Sequence, residues 1–260
     1  MTSPLGHADP TELWSRLNAA FDACQRDGRI AEFWLRDDDA CRAGPLLERL
    51  VSILDGTPAG LAVIPALAEP SLFALLQGVD GIHVLPHGYA HTNHAPTGEK
   101  KAEFGAHRPL REMLEEIEAG WTRVSADVPA KAVPIFVPPW NRIDPQLVEH
   151  LPSVGLKRVS IYGSANDGAP FYLNTHVDII DWHGTRGFVG EASAIIGILS
   201  HLDQQVTGVV PAPTGILCHH RDHDAGCWRF LETITKLVKA HPAARWIAPA
   251  VSDEPDDKTL

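Results

Sequence analysis

The chain has 260 residues, 44% hydrophobic and 21% charged, which is enough apolar material for one large core rather than two small ones. Its formal net charge of −11 argues against a nucleic-acid backbone or an anionic membrane surface as the main partner. No run of about 18 or more apolar residues occurs, so no membrane insertion is predicted. Met1–Pro10 lacks a basic region followed by an apolar run, and Cys24, Cys41, Cys218 and Cys227 form no C-x-x-C pair, so reduced thiols and a cytoplasmic location are expected.

Asp9-Pro10 reads as a helix cap with a first-turn proline. Leu13, Leu17, Phe21 and Cys24 share a helical face that ends at Gly28. Residues 1–29 are thus expected as a helix packed on the domain, 30–250 as the domain itself, and 251–260 as an acidic tail. Ile30–Leu35 reads as a buried strand followed by Asp37-Asp38-Asp39. A helix is expected over Pro45–Leu54, a strand over Gly60–Pro65, a helix over Pro70–Gln77, and a strand over Gly81–Pro86 that ends at His87. Thr92–Arg108 is polar and predicts a long loop overhanging the site. Helix Pro109–Val124 and strand Ala132–Val137 follow, then a short helix from Asp144-Pro145. Strands Leu156–Tyr162 and Val177–Trp182, helix Gly190–Leu202, strand Thr214–Cys218 and helix Asp224–His241 complete the pattern. Strands alternating with helices predict an α/β fold with a parallel sheet. About seven strands, and no Gly-rich phosphate loop after the first, favour a barrel over an open dinucleotide-binding sheet. Chemistry is then expected at the C-terminal strand ends.

Three adjacent carboxylates at a strand end repel one another, and either cap a solvated turn or are given a cation. In the second case one binds a metal while its neighbour stays free as a base. His87 and His91, four apart, can share one ion if they lie on a helical turn, and Gly88 allows a tight backbone bend. Two His and one Asp make an open site of the zinc type.

The stretch Leu35-Arg36-Asp37-Asp38-Asp39-Ala40 resembles the first motif of polysaccharide deacetylases, carbohydrate esterase family four, also called the NodB homology domain. That motif is Thr-Phe-Asp-Asp-Gly after an apolar strand. Aligned on Leu35, the resemblance implies Asp38 as catalytic base and Asp39 as metal ligand; a register one residue earlier would use Asp37 and Asp38. The family's His-x-x-x-His falls on His87 and His91, both implied metal ligands. Its Arg-x-Pro-Tyr resembles Val137-Pro138-Pro139-Trp140. Trp140 stands for the tyrosine whose backbone N–H helps hold the oxyanion, with Pro139 and Asn141 beside it. The arginine that orients the base is absent there, leaving Arg142 or Arg36 as replacements. Asp-x-x-Asp-Trp matches Asp178, Asp181 and Trp182, which are implied to line the pocket. Leu-x-His matches Leu217-Cys218-His219, with Leu217 shaping an apolar pocket for the acyl methyl and His219 as general acid. His220, Arg221 and His223 stand close by.

The resemblance implies a distorted (β/α) barrel of about seven strands. It also implies a metal-dependent hydrolase of a non-peptide carbon–nitrogen bond, most simply an N-deacetylase of an amino sugar or polysaccharide. Zinc is the expected ion, with cobalt, nickel or manganese as alternatives. An amidohydrolase acting on a small cyclic amide and an inactive carbohydrate-binding member are the competing readings. The partner in each is a small molecule or a carbohydrate.

Overall fold

The computed structural model describes residues 9–208 and 212–251, so the expected acidic tail lies outside the described residues from residue 252 on. Helix α1 spans Pro10–Arg26, with the Asp9 carboxylate capping the Thr11 N–H and Leu13, Leu17, Phe21 and Cys24 buried. Strand β1 (Ala31–Ala40) and helix α2 (Pro45–Leu54) follow, then β2 (Ala59–Val63), α3 (Pro70–Gln77), β3 (Ile82–Pro86) and α4 (Leu110–Asp127). Next come β4 (Ile135–Phe136), α5 (Pro145–His150), β5 (Arg158–Val159), β6 (Val177–Asp178), α6 (Glu191–Val206), β7 (Thr214–Cys218), α7 (Ala225–Ala240) and β8 (Ala244–Trp246).

One sheet runs in the order β3-β2-β1-β7-β6, all parallel, and β4 pairs with β5. Isolated bridges join the remaining gaps. Val84–Ala132 and His87–Val137 link β3 to β4, while Val159–Tyr172 and Tyr162–Thr175 link β5 to the segment entering β6. Seven strands thereby close into a ring, the distorted barrel expected from the alternation. β8 was not anticipated. It adds beside the first residues of β1, where Ala31–Phe33 pair with Ala244–Trp246.

Strand alternation sorts the chemistry. Successive side chains on a strand point to opposite faces. Trp34 joins Ala62, Leu85, Ile135, Val137 and Leu173 in a buried cluster drawn from strands all round the ring, so this cluster fills the barrel interior. Arg36 and Asp38 share the face of Trp34 and therefore sit above that plug. Asp37 points the other way, towards the helical layer.

The strand β1 is longer than its apolar run implies. It does not stop at Leu35; the three aspartates lie within it, and the exposed Ile30 lies outside it. Its ladder partners explain this: Arg36 and Asp37 pair with Gly60 and Leu61 on one side and with Leu217 and Cys218 on the other. Two neighbouring strands satisfy the backbone whatever the side chains are. The predicted loop 92–108 contains no helix or strand, but it does not simply overhang the site. Ala102, Glu103 and Phe104 are buried.

Candidate active site

The site begins with a break in β1. The β1–β2 register shifts between Asp37 and Ala40, and Asp39 adopts φ +69°, the left-handed region that L residues avoid. This bulge interrupts the alternation, so Asp38 and Asp39 do not simply face opposite ways. At the end of β3, Gly88 (φ +57°) and His91 (φ +56°) bend the chain sharply. The expectation that His87 and His91 share a helical turn is therefore corrected: two left-handed residues, not helical spacing, bring the rings together. A Cβ at Gly88 would lie 2.2 Å from Glu103 Oε2 and 2.5 Å from Pro139 Cγ, so this position accepts no side chain.

The result is a compact cluster. Asp39 Oδ1 lies 3.1 Å from His87 Nε2 and 3.2 Å from His91 Nε2. His87 Nδ1 is 3.0 Å from the carbonyl oxygen of Val137. A carbonyl only accepts, so Nδ1 carries the proton and the Nε2 lone pair of the neutral ring points at the cluster. One carboxylate and two imidazoles on a common point are a donor set that fits a divalent ion, with coordination positions left open.

The electrostatics agree with a cation-seeking cluster. Burial disfavours ionised Asp39, but the hydrogen bond and charge of His87, with the charge of His91, hold its carboxyl below the ordinary range. Burial pushes His87 down, yet the Asp39 hydrogen bond and the charges of Asp38 and Asp39 raise it overall. His91 is lowered, first by burial and then by the charge of His87.

Beside the cluster, the Arg36 guanidinium is clamped on Asp38. Its Nε donates to Asp38 Oδ1 at 2.9 Å and its Nη2 to Asp38 Oδ2 at 3.0 Å. Nη1 donates to both the carbonyl and the hydroxyl of Ser160, and Nη2 also donates to Asn141 Oδ1 at 2.6 Å. All five N–H groups of this fully buried guanidinium are used, which is what makes its burial tolerable. Arg142 is engaged elsewhere, with the carbonyl of Lys101.

The other expected residues divide into two groups. Trp140 (φ +55°) packs its ring 4.4 Å from that of His91, next to Pro139. Leu217 is buried on β7, in register with both Arg36 and Asp178. His219 lies edge-on to Trp182 at 4.7 Å, and its Nδ1 is buried with no partner. Asp178 is held by the Ile180 N–H and by Trp182 Nε1, so no hydrogen bond ties it to His219; burial raises its pKa. Asp181 accepts instead from the Gly184 and Thr185 N–H groups and closes a turn. Asp37 is not with the His pair. It accepts from His220 Nδ1 at 2.5 Å, from the His220 N–H at 2.7 Å and from the Cys218 thiol.

Glu103 escaped sequence reasoning. Its buried carboxylate accepts from the N–H groups of Tyr89, Ala90 and Thr92 and so shapes the turn that carries His91. A charged residue inside a polar loop carries no local mark of such a role.

Fold and cluster define a class: a parallel barrel whose strand ends present a carboxylate and two imidazoles to a common point, with an arginine-clamped carboxylate alongside. Comparison with solved structures narrows the fold to that of family 4 carbohydrate esterases. A family 4 carbohydrate esterase from Streptomyces lividans, in complex with acetate, is 18% identical with TM-score 0.52, over 85% of this chain and 97% of that one. The catalytic domain of a peptidoglycan N-acetylglucosamine deacetylase from Eubacterium rectale is 15% identical with TM-score 0.57, over 87% and 91%. A family 4 acetyl xylan esterase from Clostridium thermocellum, in complex with a cobalt ion, is 14% identical with TM-score 0.52, over 84% and 87%. No protein-family model and no curated protein matches the sequence. Among the described residues no helix is long and apolar enough to cross a membrane.

Proposed function

We propose that the protein is a metal-dependent hydrolase of an amide bond, an N-deacetylase of an N-acetylated sugar unit. The observation that carries this reading is the meeting of Asp39 Oδ1 with the Nε2 atoms of His87 and His91 at 3.1 and 3.2 Å. Those three residues would hold the ion, zinc by the nature of the donors, with cobalt as borne by one neighbour in fold. A divalent ion bound there supplies a Lewis acid for the acyl carbonyl and lowers the pKa of water.

The chain's own residues do the rest. Asp38, locked by the two Arg36 contacts, keeps free lone pairs with which to take the proton of the attacking water. The Trp140 N–H offers a donor to the developing oxyanion. His219 protonates the leaving amine, so that one water and one amide become one carboxylate and one amine. Leu217 supplies the apolar wall against the acyl methyl.

The test is metal analysis of the purified protein together with acid release from chito-oligosaccharides and N-acetylated monosaccharides. The reading expects stoichiometric metal and acetate release abolished by chelator. Metal without acetate from any sugar, but ring opening of a small cyclic amide, would replace the substrate class. A protein that takes up no divalent ion overturns the mechanism.

A further inference from the structure

A separate group of donors lies behind the sheet, on the face of β1 turned away from the barrel interior. Asp37 of β1 and Cys218 of β7 are register partners across the β1–β7 ladder, so their side chains leave the sheet side by side. Cys218 belongs to the core between sheet and helices, and Asp37 is buried with it. After β7 the chain makes a single helical turn, His220–Asp222, and returns His223 to the same place just before Asp224 caps α7. One donor atom from each of Asp37, Cys218 and His223 lies within 4.8 Å of the other two.

The three side chains are in unlike states. The Cys218 thiol donates to Asp37 Oδ2 at 3.2 Å. The His220 N–H donates to that same oxygen at 2.7 Å, and His220 Nδ1 lies 2.5 Å from Oδ1, so the carboxylate is held in a fixed direction. His223 has no such engagement. Its ring stands edge-on to Trp228 at 4.4 Å, and both its nitrogens are enclosed with no hydrogen-bond partner among the described residues. A neutral imidazole carries one N–H and one lone pair, and enclosed groups of either kind are normally paired. No partner fixes which nitrogen bears the proton, so the one beside Asp37 and Cys218 is free to present its lone pair.

We propose that Asp37, Cys218 and His223 form a second site for a divalent ion, of zinc or another thiophilic metal. A carboxylate, a thiolate and an imidazole are a donor set of that kind, and His220 is the partner that orients the ligating carboxylate. Loading is an exchange. One divalent ion enters, the Cys218 thiol proton leaves to solvent, and a metal–sulfur bond forms; nothing is oxidised or reduced. The ion must displace that proton and break the thiol's hydrogen bond to Asp37, so this is the weaker of the two sites. It fills from added metal, while the ion kept through isolation is the one at Asp39, His87 and His91. Occupancy ties β1, β7 and the entry to α7 together, behind the strand that carries Asp38 and Asp39. The site does not depend on the hydrolase reading.

Cobalt titration of the full-length protein tests it, because the cluster at the strand ends contains no sulfur. Divalent cobalt on a thiolate gives a near-ultraviolet charge-transfer absorption that carboxylate and imidazole ligands do not. The band should appear with the second equivalent of cobalt added to wild type and with the first added to Asp39→Ala. It should be absent in Cys218→Ser, and His223→Gln should weaken the titration by about tenfold or more. Added zinc should also raise the Tm of Asp39→Ala, since an ion that binds only the folded chain stabilises it. No sulfur band in wild type with cobalt in excess overturns the site. So does a band that survives in Cys218→Ser, which would belong to another thiol, or one that disappears in folded Asp39→Ala. Should circular dichroism show Cys218→Ser to be unfolded, an unchanged titration in His223→Gln overturns the site instead. A sulfur band without acetate release from any sugar keeps this site and removes the hydrolase; acetate release without the band does the reverse.

Discussion

Two clusters in this barrel have the same composition, one aspartate and two histidines, and opposite character. Asp39, His87 and His91 stand at the strand ends. Asp167, His176 and His201 lie between the loop after β5, the start of β6, and α6; the two imidazoles stack at 3.5 Å, with Asp167 Oδ2 3.1 Å from His176 Nε2. The difference is in the other ring nitrogen. His87 Nδ1 meets a carbonyl, which forces the proton onto Nδ1 and frees Nε2. His176 Nδ1 instead accepts the N–H of Gly215 at 2.9 Å, so the neutral ring carries its proton on Nε2 and gives it to Asp167. In the second cluster His176 has no lone pair to offer an ion, and His201, whose Nδ1 meets the Thr214 hydroxyl, leaves its buried Nε2 without a hydrogen bond, 3.7 Å from Asp167 Oδ2. Counting Asp and His does not distinguish these clusters; following each proton does.

The comparison can be broken most severely at the base. Asp38→Asn should leave metal content intact and lower kcat by about 10²–10⁴, the usual worth of a general base. Metal analysis beside steady-state kinetics checks it, and near-normal turnover would reassign the base. The next contrast sets the clusters against each other. Asp39→Ala should empty the protein of its ion. Asp167→Ala should keep about one equivalent of metal per chain yet lower stability by roughly 2–4 kcal/mol, because it strands buried imidazoles. Denaturant unfolding and metal analysis of the two variants read this directly, and metal loss in Asp167→Ala would show that the Asp167, His176 and His201 cluster is an ion site after all.

The smallest effect is a pH dependence at His223, whose two ring nitrogens are buried without partners. Burial pushes its pKa down to about 4. The unfolded chain then binds a proton that the fold refuses, so this contribution to stability is present above about pH 6.5 and is lost as pH falls towards 4. The loss should reach about 1–3 kcal/mol and flatten in His223→Leu, measured as Tm against pH.

Much of the architecture was legible because it is written locally. Apolar runs of strand length, proline after a capping aspartate in α1 and α5, and stop signals such as Gly28 are short-range features, and the barrel follows from their alternation. β8 was missed because Ala244–Trp246 is too short to show a period and is a strand only by pairing with β1. The site was half legible. Asp39 and the His87, His91 pair stand out as residue types that gather around an ion. Which aspartate meets the imidazoles, and which arginine clamps its neighbour, depends on a bulge and on strand registers.

What the sequence determined by itself is the order of strands and helices and the supply of carboxylates and imidazoles near strand ends, because periodicity and residue chemistry act within a few positions. Tertiary structure alone decided that Arg36 faces inward to Asp38, that Asp37 turns outward to His220, and that Glu103 holds the turn bearing His91. Each of these is a contact whose energy depends on the register and direction of segments distant in the chain, and no local pattern encodes that.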